Sequence, residues 1–121
     1  MYAEKHAVSL TTTSGGAATG YTPVITGRVL AVLYTKVDFA TGVDLTITAE
    51  GTGQAILTLT NQDSSGIWYP RAQVHGATGS GLTFDGTNVV AEPVPVVNER
   101  IKVVVAQGGS GKTGTVQILV G

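Results

Sequence analysis

The chain contains no cysteine among its 121 residues. It therefore has no disulfide framework, no thiolate nucleophile and no zinc site of the cysteine type. Charge is also scarce, because Asp, Glu, Lys and Arg make up only 12% of the residues, about half of the roughly 25% that is usual in soluble domains. A surface with so little charge repels other proteins only weakly. We therefore expect protein partners to cover much of it.

The balance of charge and the lack of long apolar runs exclude two kinds of partner. With 7 basic and 8 acidic residues the net charge is −1, so the chain lacks the basic excess that neutralises a phosphate backbone, and we expect no nucleic-acid partner. No apolar run approaches the roughly 20 residues of a membrane-spanning helix. Residues 1–6 are polar and lack the apolar core of a secretory signal. We therefore expect no membrane partner and a protein made in the cytoplasm.

Alternating and β-branched segments dominate the sequence, and no segment has a sustained helical period. Residues 44–50 and 55–60 alternate apolar and threonine side chains around a Gly-Thr-Gly turn, which predicts a β-hairpin. Residues 28–37 are apolar on both faces. This pattern is typical of a central strand buried on both sides, or of a strand with one face at a subunit contact.

Further strands are predicted at residues 67–74, 82–84, 99–106 and 114–120. Proline cannot donate a hydrogen bond to a β-ladder, so Pro70 indicates an edge position or a bulge. For the same reason, Pro93 and Pro95 indicate that residues 89–97 are extended and edge-like at best.

These segments amount to about seven to nine short strands, with turn signals roughly every ten residues. They predict an all-β fold, either an antiparallel β-sandwich or a small jelly-roll-like barrel. Residues 1–121 are predicted to form a single β domain. Residues 11–22 are rich in Gly, Thr and Ala, which leaves two alternatives open for residues 1–22: a flexible or partner-ordered N-terminal arm, or a simple loop.

Residues 106–113, with the sequence AQGGSGKT, resemble a phosphate-binding loop with alanine in place of its first glycine. Such loops use backbone amides and the positive end of the following helix to hold phosphate groups. Residues 114–120 instead alternate as a β-strand does. We therefore interpret the segment as a Gly-rich β-hairpin loop between the last two strands, and we predict no nucleotide or other cofactor.

The remaining polar residues do not predict an active site or a metal centre. Asp38 and Asp44 could share a cation, but calcium prefers six to eight oxygen ligands, and such residues are more often turn formers. His6 and His75 are the only histidines, and without cysteine they do not predict a zinc site. The members of a Ser-His-Asp triad need only meet in the fold, yet no Gly-x-Ser-x-Gly segment is present. We expect no catalytic residues, no metal and no enzymatic activity.

The segment around Trp68, Tyr69 and Arg71 provides the interface candidates, because these residue types anchor protein interfaces. One alternative is a core Trp68 with Arg71 paired to a carboxylate such as that of Asp63. We favour a mixture, with Trp68 pointing inward and Tyr69 and Arg71 near a contact. An exposed aromatic surface formed by Trp68 and Tyr69 would suit a sugar ring, which keeps a carbohydrate-binding β-sandwich as an alternative function.

Three segments together resemble small structural virion proteins of tailed bacteriophages: residues 43–61, residues 67–76 with their Tyr-Pro-Arg, and residues 99–121, where Glu-Arg-Ile-Lys precedes the Gly-rich loop. The resemblance covers residues 28–121. It implies a capsid decoration (cement) protein, located in the virion, that sits on the shell as a symmetric homo-oligomer, with a trimer favoured. Such a protein bridges neighbouring subunits of the major capsid protein. Another virion part, such as a head–tail, tail or fibre-base component, is the alternative.

Overall fold

A computed structural model describes residues 3–121, which form ten β-strands and no helix. The strands are β1 (Glu4–Thr11), β2 (Ala18–Tyr21), β3 (Ile25–Lys36), β4 (Asp44–Ala49), β5 (Ala55–Leu59), β6 (Gly66–Trp68), β7 (Arg71–Gln73), β8 (Ala91–Glu99), β9 (Ile101–Ala106) and β10 (Thr113–Val120). Residues 3–121 therefore contain no helix that is long and apolar enough to cross a membrane.

The strands form two antiparallel sheets. Sheet 1 has the order β1-β10-β3-β8-β7, with β6 also paired to β3, and sheet 2 has the order β2-β9-β4-β5. The inward side chains of both sheets share one buried cluster. The predicted all-β antiparallel sandwich is therefore confirmed, with ten strands in place of about seven to nine.

Alternating side chains give sheet 2 one buried face. Leu45 and Ile47 of β4 are at most 1% exposed, and Ile101, Val103 and Val105 of β9 are fully buried. The intervening threonines of β4 point away from sheet 1, because successive side chains of a strand face opposite sides. The predicted hairpin of residues 44–60 is confirmed as β4 and β5, whose register shifts between Ile47 and Thr48.

Strand β3 is the central strand of sheet 1, as predicted from residues 28–37. It pairs with β10 along one edge, and with β8 and then β6 along the other. Ala31 and Val32 are adjacent and at most 3% exposed, so β3 has a buried side chain on each face of the sheet at this point. The register with β10 shifts between Leu119 and Val120, which places Val29 and Val32 on the same inward side.

The Gly-rich loop does not form a hairpin, and that prediction is wrong. Strand β9 belongs to sheet 2 and β10 to sheet 1, so residues 107–112 cross from one sheet to the other. The alternation of β9 and β10 shows that each strand buries one face. It does not show that the two strands pair, because strands of two facing sheets also bury one face each against a shared core. The loop is held by the N-terminal segment, since Gly108 N donates to Gly16 O at 2.9 Å.

The proline-containing segments also differ from their predictions. Residues 67–74 do not form one strand, because the chain breaks at the buried Pro70 into β6 and β7, which pair with different strands. Strand β8 lies between β3 and β7 in the order of sheet 1, although each half of it pairs with only one of them. Its prolines are tolerated because β7 pairs only with residues 91–93 and β3 with residues 94–99. Each half of β8 is therefore paired along one edge only. A proline, which has no N–H, can face the unpaired edge without loss of a ladder hydrogen bond.

The boundary between β8 and β9 lies later than predicted. Glu99 ends β8, and the predicted strand 99–106 begins only at Ile101, after the chain has changed sheets at Arg100. Asn98 has a φ of 51°, a left-handed conformation that asparagine tolerates better than most residues. The change of direction between the two sheets therefore follows a backbone kink directly before Glu99.

Residues 3–22 do not form an arm. Strand β1 pairs with β10 over its whole length, and β2 pairs with β9. The glycine content reflects close packing, since a Cβ at Gly20 would lie 2.5 Å from Cγ1 of Val8. Residues 1 and 2 of the predicted arm lie outside the described residues.

Candidate functional site

Residues 74–90 leave sheet 1 between β7 and β8, and we call this segment the projection. Its backbone forms a small ribbon in which Leu82 N donates to Val74 O at 2.8 Å and Val90 N donates to Leu82 O at 3.0 Å. Two further bridges, His75 to Gly81 and Thr83 to Val89, extend the ribbon. The predicted strand at residues 82–84 is reduced to such isolated bridges.

The tip of the projection is fixed by Asp85. Its carboxylate accepts hydrogen bonds from Thr87 N at 2.9 Å and from the backbone N and side-chain amide of Asn88. The backbone hydrogen bond from Asn88 is the largest cause that holds the pKa of Asp85 below its ordinary value. The tip therefore carries a persistent negative charge at neutral pH.

The projection exposes apolar side chains to solvent. Phe84 is 71% exposed, Val89 49% and Leu82 42%. Every residue from 77 to 89 is exposed, and within residues 74–90 none is buried. Five of the nine exposed large apolar residues of the described chain lie between residues 67 and 89. Apolar surface concentrated in this way is typical of a protein contact.

The predicted interface residues lie at the base of the projection. Trp68 is half-buried, pairs with the inward-facing Val32 and packs against the core. Tyr69 is 62% exposed. The exposed Arg71 donates from Nη1 to Leu30 O at 3.1 Å and to Pro70 O at 2.8 Å.

The structure does not show Arg71 paired with Asp63. Asp63 Oδ1 instead accepts from Gly42 N at 2.7 Å, and the guanidinium of Arg71 is occupied by carbonyl oxygens. Trp68 and Tyr69 do not form a shared exposed surface either, because the Trp68 ring packs against the core. A sugar ring would find only Tyr69 exposed at this place.

The outward-facing side of sheet 1, which we call the outer face, also carries apolar side chains. Leu33 pairs with Ile67 and Ala31 with Leu119. These residues point outward because their neighbours Val32 and Ile118 are fully buried on the inner side. Ile67 is 47% exposed. Sequence reasoning noted apolar side chains on both faces of residues 28–37, but it could not show how far this surface extends.

The aspartates weighed as metal ligands hold turns. Asp38 Oδ1 accepts from Thr113 N at 2.6 Å, and this backbone hydrogen bond is the largest cause that lowers the pKa of Asp38. Asp44 Oδ1 accepts from Asn61 N at 2.8 Å. Within residues 3–121, no group of three or more His, Asp or Glu side chains is placed to hold a metal ion.

The two histidines line different clefts. His6 lies on β1 with Nε2 3.2 Å from Glu4 Oε2, in a cleft of about 390 Å³ completed by Val24, Ile25, Thr26 and Val120. His75 lines a cleft of about 470 Å³ at the base of the projection, together with Arg28, Gln54, Ala72, Gln73, Val74, Glu92, Pro93 and Pro95. The fold does not bring the two imidazoles together.

The Gly-rich loop uses its backbone groups within the fold. Lys112 N donates to the hydroxyl of the buried Thr12 at 2.8 Å, and that hydroxyl donates to Gly109 O. Ala40 N donates to Gly108 O at 2.9 Å. The segment that follows is strand β10, whereas a phosphate-binding loop is followed by a helix.

No protein-family model matches the chain, and no curated protein matches it. Among solved structures, it is similar to an exo-β-1,3-galactanase from Phanerochaete chrysosporium, crystallised with galactose. The similarity has 15% sequence identity and a TM-score of 0.37, and it spans 96% of this chain but only 27% of the galactanase chain. A likeness at this level carries no conclusion about function.

Proposed function

We propose that the protein is a non-enzymatic structural protein of a tailed-phage virion, which decorates the capsid shell and bridges major capsid subunits through the projection. The observation that carries the proposal is the uncovered apolar surface of Leu82, Phe84 and Val89. The phage context comes from the resemblance of residues 28–121 to small virion proteins.

The energetics of the projection support a role in binding protein. Ordering the backbone of one residue costs about 1–2 kcal/mol, and residues 77–89 have no buried side chain that offsets this cost. Burying a side chain such as Phe84 contributes about 1.5–3 kcal/mol. A partner that covers the projection would therefore stabilise both the projection and the complex.

The sandwich suits the role of a rigid base. Its buried cluster unites strands of both sheets, so the projection extends from a well-packed support. A homo-oligomer, for which we favour a trimer, would present several projections to a shell with many closely spaced sites. Avidity would then strengthen binding without any new contact.

The test is binding of purified protein to phage shells that assembled without this chain. We expect wild type to bind the shells in a sedimentation assay and Phe84→Asp to bind at least tenfold more weakly, because a carboxylate replaces the exposed ring. Thr41→Asp is the matched control, since it adds the same charge at an exposed turn position outside the projection. It should bind as wild type does.

Two results would overturn the proposal. One is that wild type ignores the shells, or attaches to tails instead, as electron microscopy of labelled particles would show. The other is that Phe84→Asp binds as well as wild type. Thermal unfolding of each variant verifies that a loss of binding does not reflect a loss of the fold.

A further inference from the structure

We propose that Glu4 and His6 bind a divalent transition-metal ion of the zinc class. Both side chains line the cleft of about 390 Å³ that lies between β1 and the start of β3. No residue of the projection contributes to this cleft, so the proposed site is separate from the surface to which we assign shell binding.

Strand pairing directs both side chains to the inner side of sheet 1. Glu4 pairs with Val120 and His6 with Ile118, and Val120 and Ile118 are at most 4% exposed. Directly opposite residues of paired strands point to the same face, and so do residues two apart on one strand. The carboxylate and the imidazole therefore stand side by side. The sequence led us to expect no metal ion, because this common direction becomes visible only once β1 is known to pair with β10.

The imidazole of His6 has a buried nitrogen that the protein leaves unsatisfied. His6 Nε2 is buried, and it has no hydrogen-bond partner among residues 3–121. Such a nitrogen costs free energy unless water, an ion or another group satisfies it. Glu4 Oε2 lies 3.2 Å away, which is close enough for a hydrogen bond, so the direction of the contact is what fails.

A shared metal ion accounts for both the distance and the direction. Zinc binds imidazole nitrogen and carboxylate oxygen at about 2.0–2.2 Å with tetrahedral geometry, which places two ligand atoms about 3.4 Å apart. The same geometry puts the second ligand atom about 35° away from the line between the ring nitrogen and the ion, whereas a hydrogen bond prefers an acceptor close to the N–H direction. The contact between Glu4 and His6 thus resembles a pair of ligands more than a protonated imidazole that donates to a carboxylate.

The donor atoms select the class of ion. One imidazole nitrogen and one carboxylate oxygen suit zinc and its neighbours among the transition metals, whereas calcium and magnesium take oxygen ligands. Of the other residues that line the cleft, only Thr26 has a side-chain oxygen, and this Oγ1 already accepts from Asn98 N at 3.0 Å. Glu4 and His6 therefore determine the ligand chemistry.

The site is open to solvent on one side. The side chain of Glu4 is 52% exposed and that of His6 is 17% exposed, so an ion can enter beside the carboxylate. Structural zinc sites use four protein ligands and catalytic sites use three. With two protein ligands, the remaining positions are left to water, and we expect the ion to exchange with the solution.

The test is titration of the untagged protein with zinc chloride, measured by isothermal titration calorimetry. Wild type should bind one zinc ion per chain. His6→Gln and Glu4→Gln should each weaken binding by about tenfold or more, because each removes one of the two protein ligands. His75→Gln is the matched control, since it removes the other histidine and should bind as wild type does. An excess of calcium or magnesium should not displace the zinc.

Nuclear magnetic resonance locates the ion in the unaltered protein. Zinc should shift the imidazole proton signals of His6 and leave those of His75 unchanged. This measurement decides the matter even if His6→Gln or Glu4→Gln disturbs the pairing of β1, which thermal unfolding of the variants would reveal.

Three results would overturn the proposal. If wild type binds no zinc, the contact of Glu4 with His6 is an ion pair or is bridged by water. If His6→Gln binds zinc as well as wild type does, or if His75→Gln loses binding, the ion lies elsewhere. None of these results bears on shell binding, which Phe84→Asp tests separately.

Discussion

Similar side-chain patterns are buried in the sandwich and exposed in the projection. The triplet Leu57-Thr58-Leu59 in β5 buries Leu59 to 8% exposure, whereas Leu82-Thr83-Phe84 in the projection leaves Phe84 71% exposed. The first triplet faces a second sheet, and the second faces solvent. The comparison teaches that side-chain pattern sets which residues can be buried, while the presence of a covering layer decides whether they are.

This difference separates stability from recognition within one chain. The buried cluster of 22 residues contains none from residues 74–90. Substitutions in the cluster should therefore affect unfolding, and substitutions in the projection should affect contacts with partners. Such a division allows the two properties to be altered independently.

The largest effect is expected in the core. Ile101→Ala removes a fully buried side chain and should lower the free energy of unfolding by about 2–5 kcal/mol. Phe84→Ala removes a larger side chain from the projection, yet it should change that free energy by no more than about 0.5 kcal/mol. Urea unfolding of the two variants measures both values. Equal losses would contradict the division between the two regions.

A smaller loss is expected where a buried hydroxyl joins two segments. Thr12→Val leaves the N–H of Lys112 without its acceptor, and it should lower the free energy of unfolding by about 1–3 kcal/mol. Thr58→Val is the matched control, because Thr58 is exposed on β5. Similar values for the two variants would show that the Thr12 hydroxyl does not hold the Gly-rich loop.

A weaker, pH-dependent contribution should come from the outside of the sandwich. Arg100 donates from Nε to Glu50 Oε1 at 2.8 Å and lies 4.0 Å from the ring centroid of Tyr21. The hydrogen bond from Arg100 holds the pKa of Glu50 below its ordinary value of 4.5. The stability from this pair is thus present above the ordinary pKa and is lost as pH falls through the lowered one.

Glu50→Gln should accordingly be less stable than wild type at neutral pH, and the difference should shrink as the solution is acidified below the ordinary glutamate pKa. Thermal unfolding of both proteins across this pH range measures the difference. A gap that stays constant or widens toward acid would rule out the ion pair as its source.

The smallest effect should follow removal of the projection. Replacing residues 76–89 with a short Gly-Ser turn keeps β7 and β8 paired and removes only residues outside the core. The unfolding midpoint should remain within a few degrees of wild type, and proteolytic cleavage within this segment should disappear. A large loss of stability would show that the projection supports the sandwich, against the comparison drawn above.

Regular alternation predicted the β4–β5 hairpin and β10, and apolar side chains on both faces predicted β3; the structure confirms these strands. They could not assign strands to sheets, because β9 and β10 have the same pattern whether they pair or face each other. They also underestimated β8, whose prolines are accommodated by partners that change along its length. These properties depend on long-range pairing that no local segment encodes.

The candidate site was only partly predictable. The alternation at Trp68 and Tyr69 indicated opposite directions for the two rings, and the structure shows Trp68 against the core and Tyr69 exposed. Their role in an interface stays a prediction. The projection was missed because its Gly, Ser and Thr content is typical of a simple loop. The alternation of Leu82 and Phe84 was the available signal.

The pairing of β1 with β10 has a consequence for synthesis of the protein. Strand β10 lies between β1 and β3 and pairs with both, from Glu4 opposite Val120 to Thr11 opposite Thr113. Until β10 leaves the ribosome, β1 and β3 therefore lack the neighbour that joins them, and their apolar side chains remain open to unintended pairing. Folding of sheet 1 is thus deferred until β10 emerges, and a nascent chain stalled before that point should depend on chaperones.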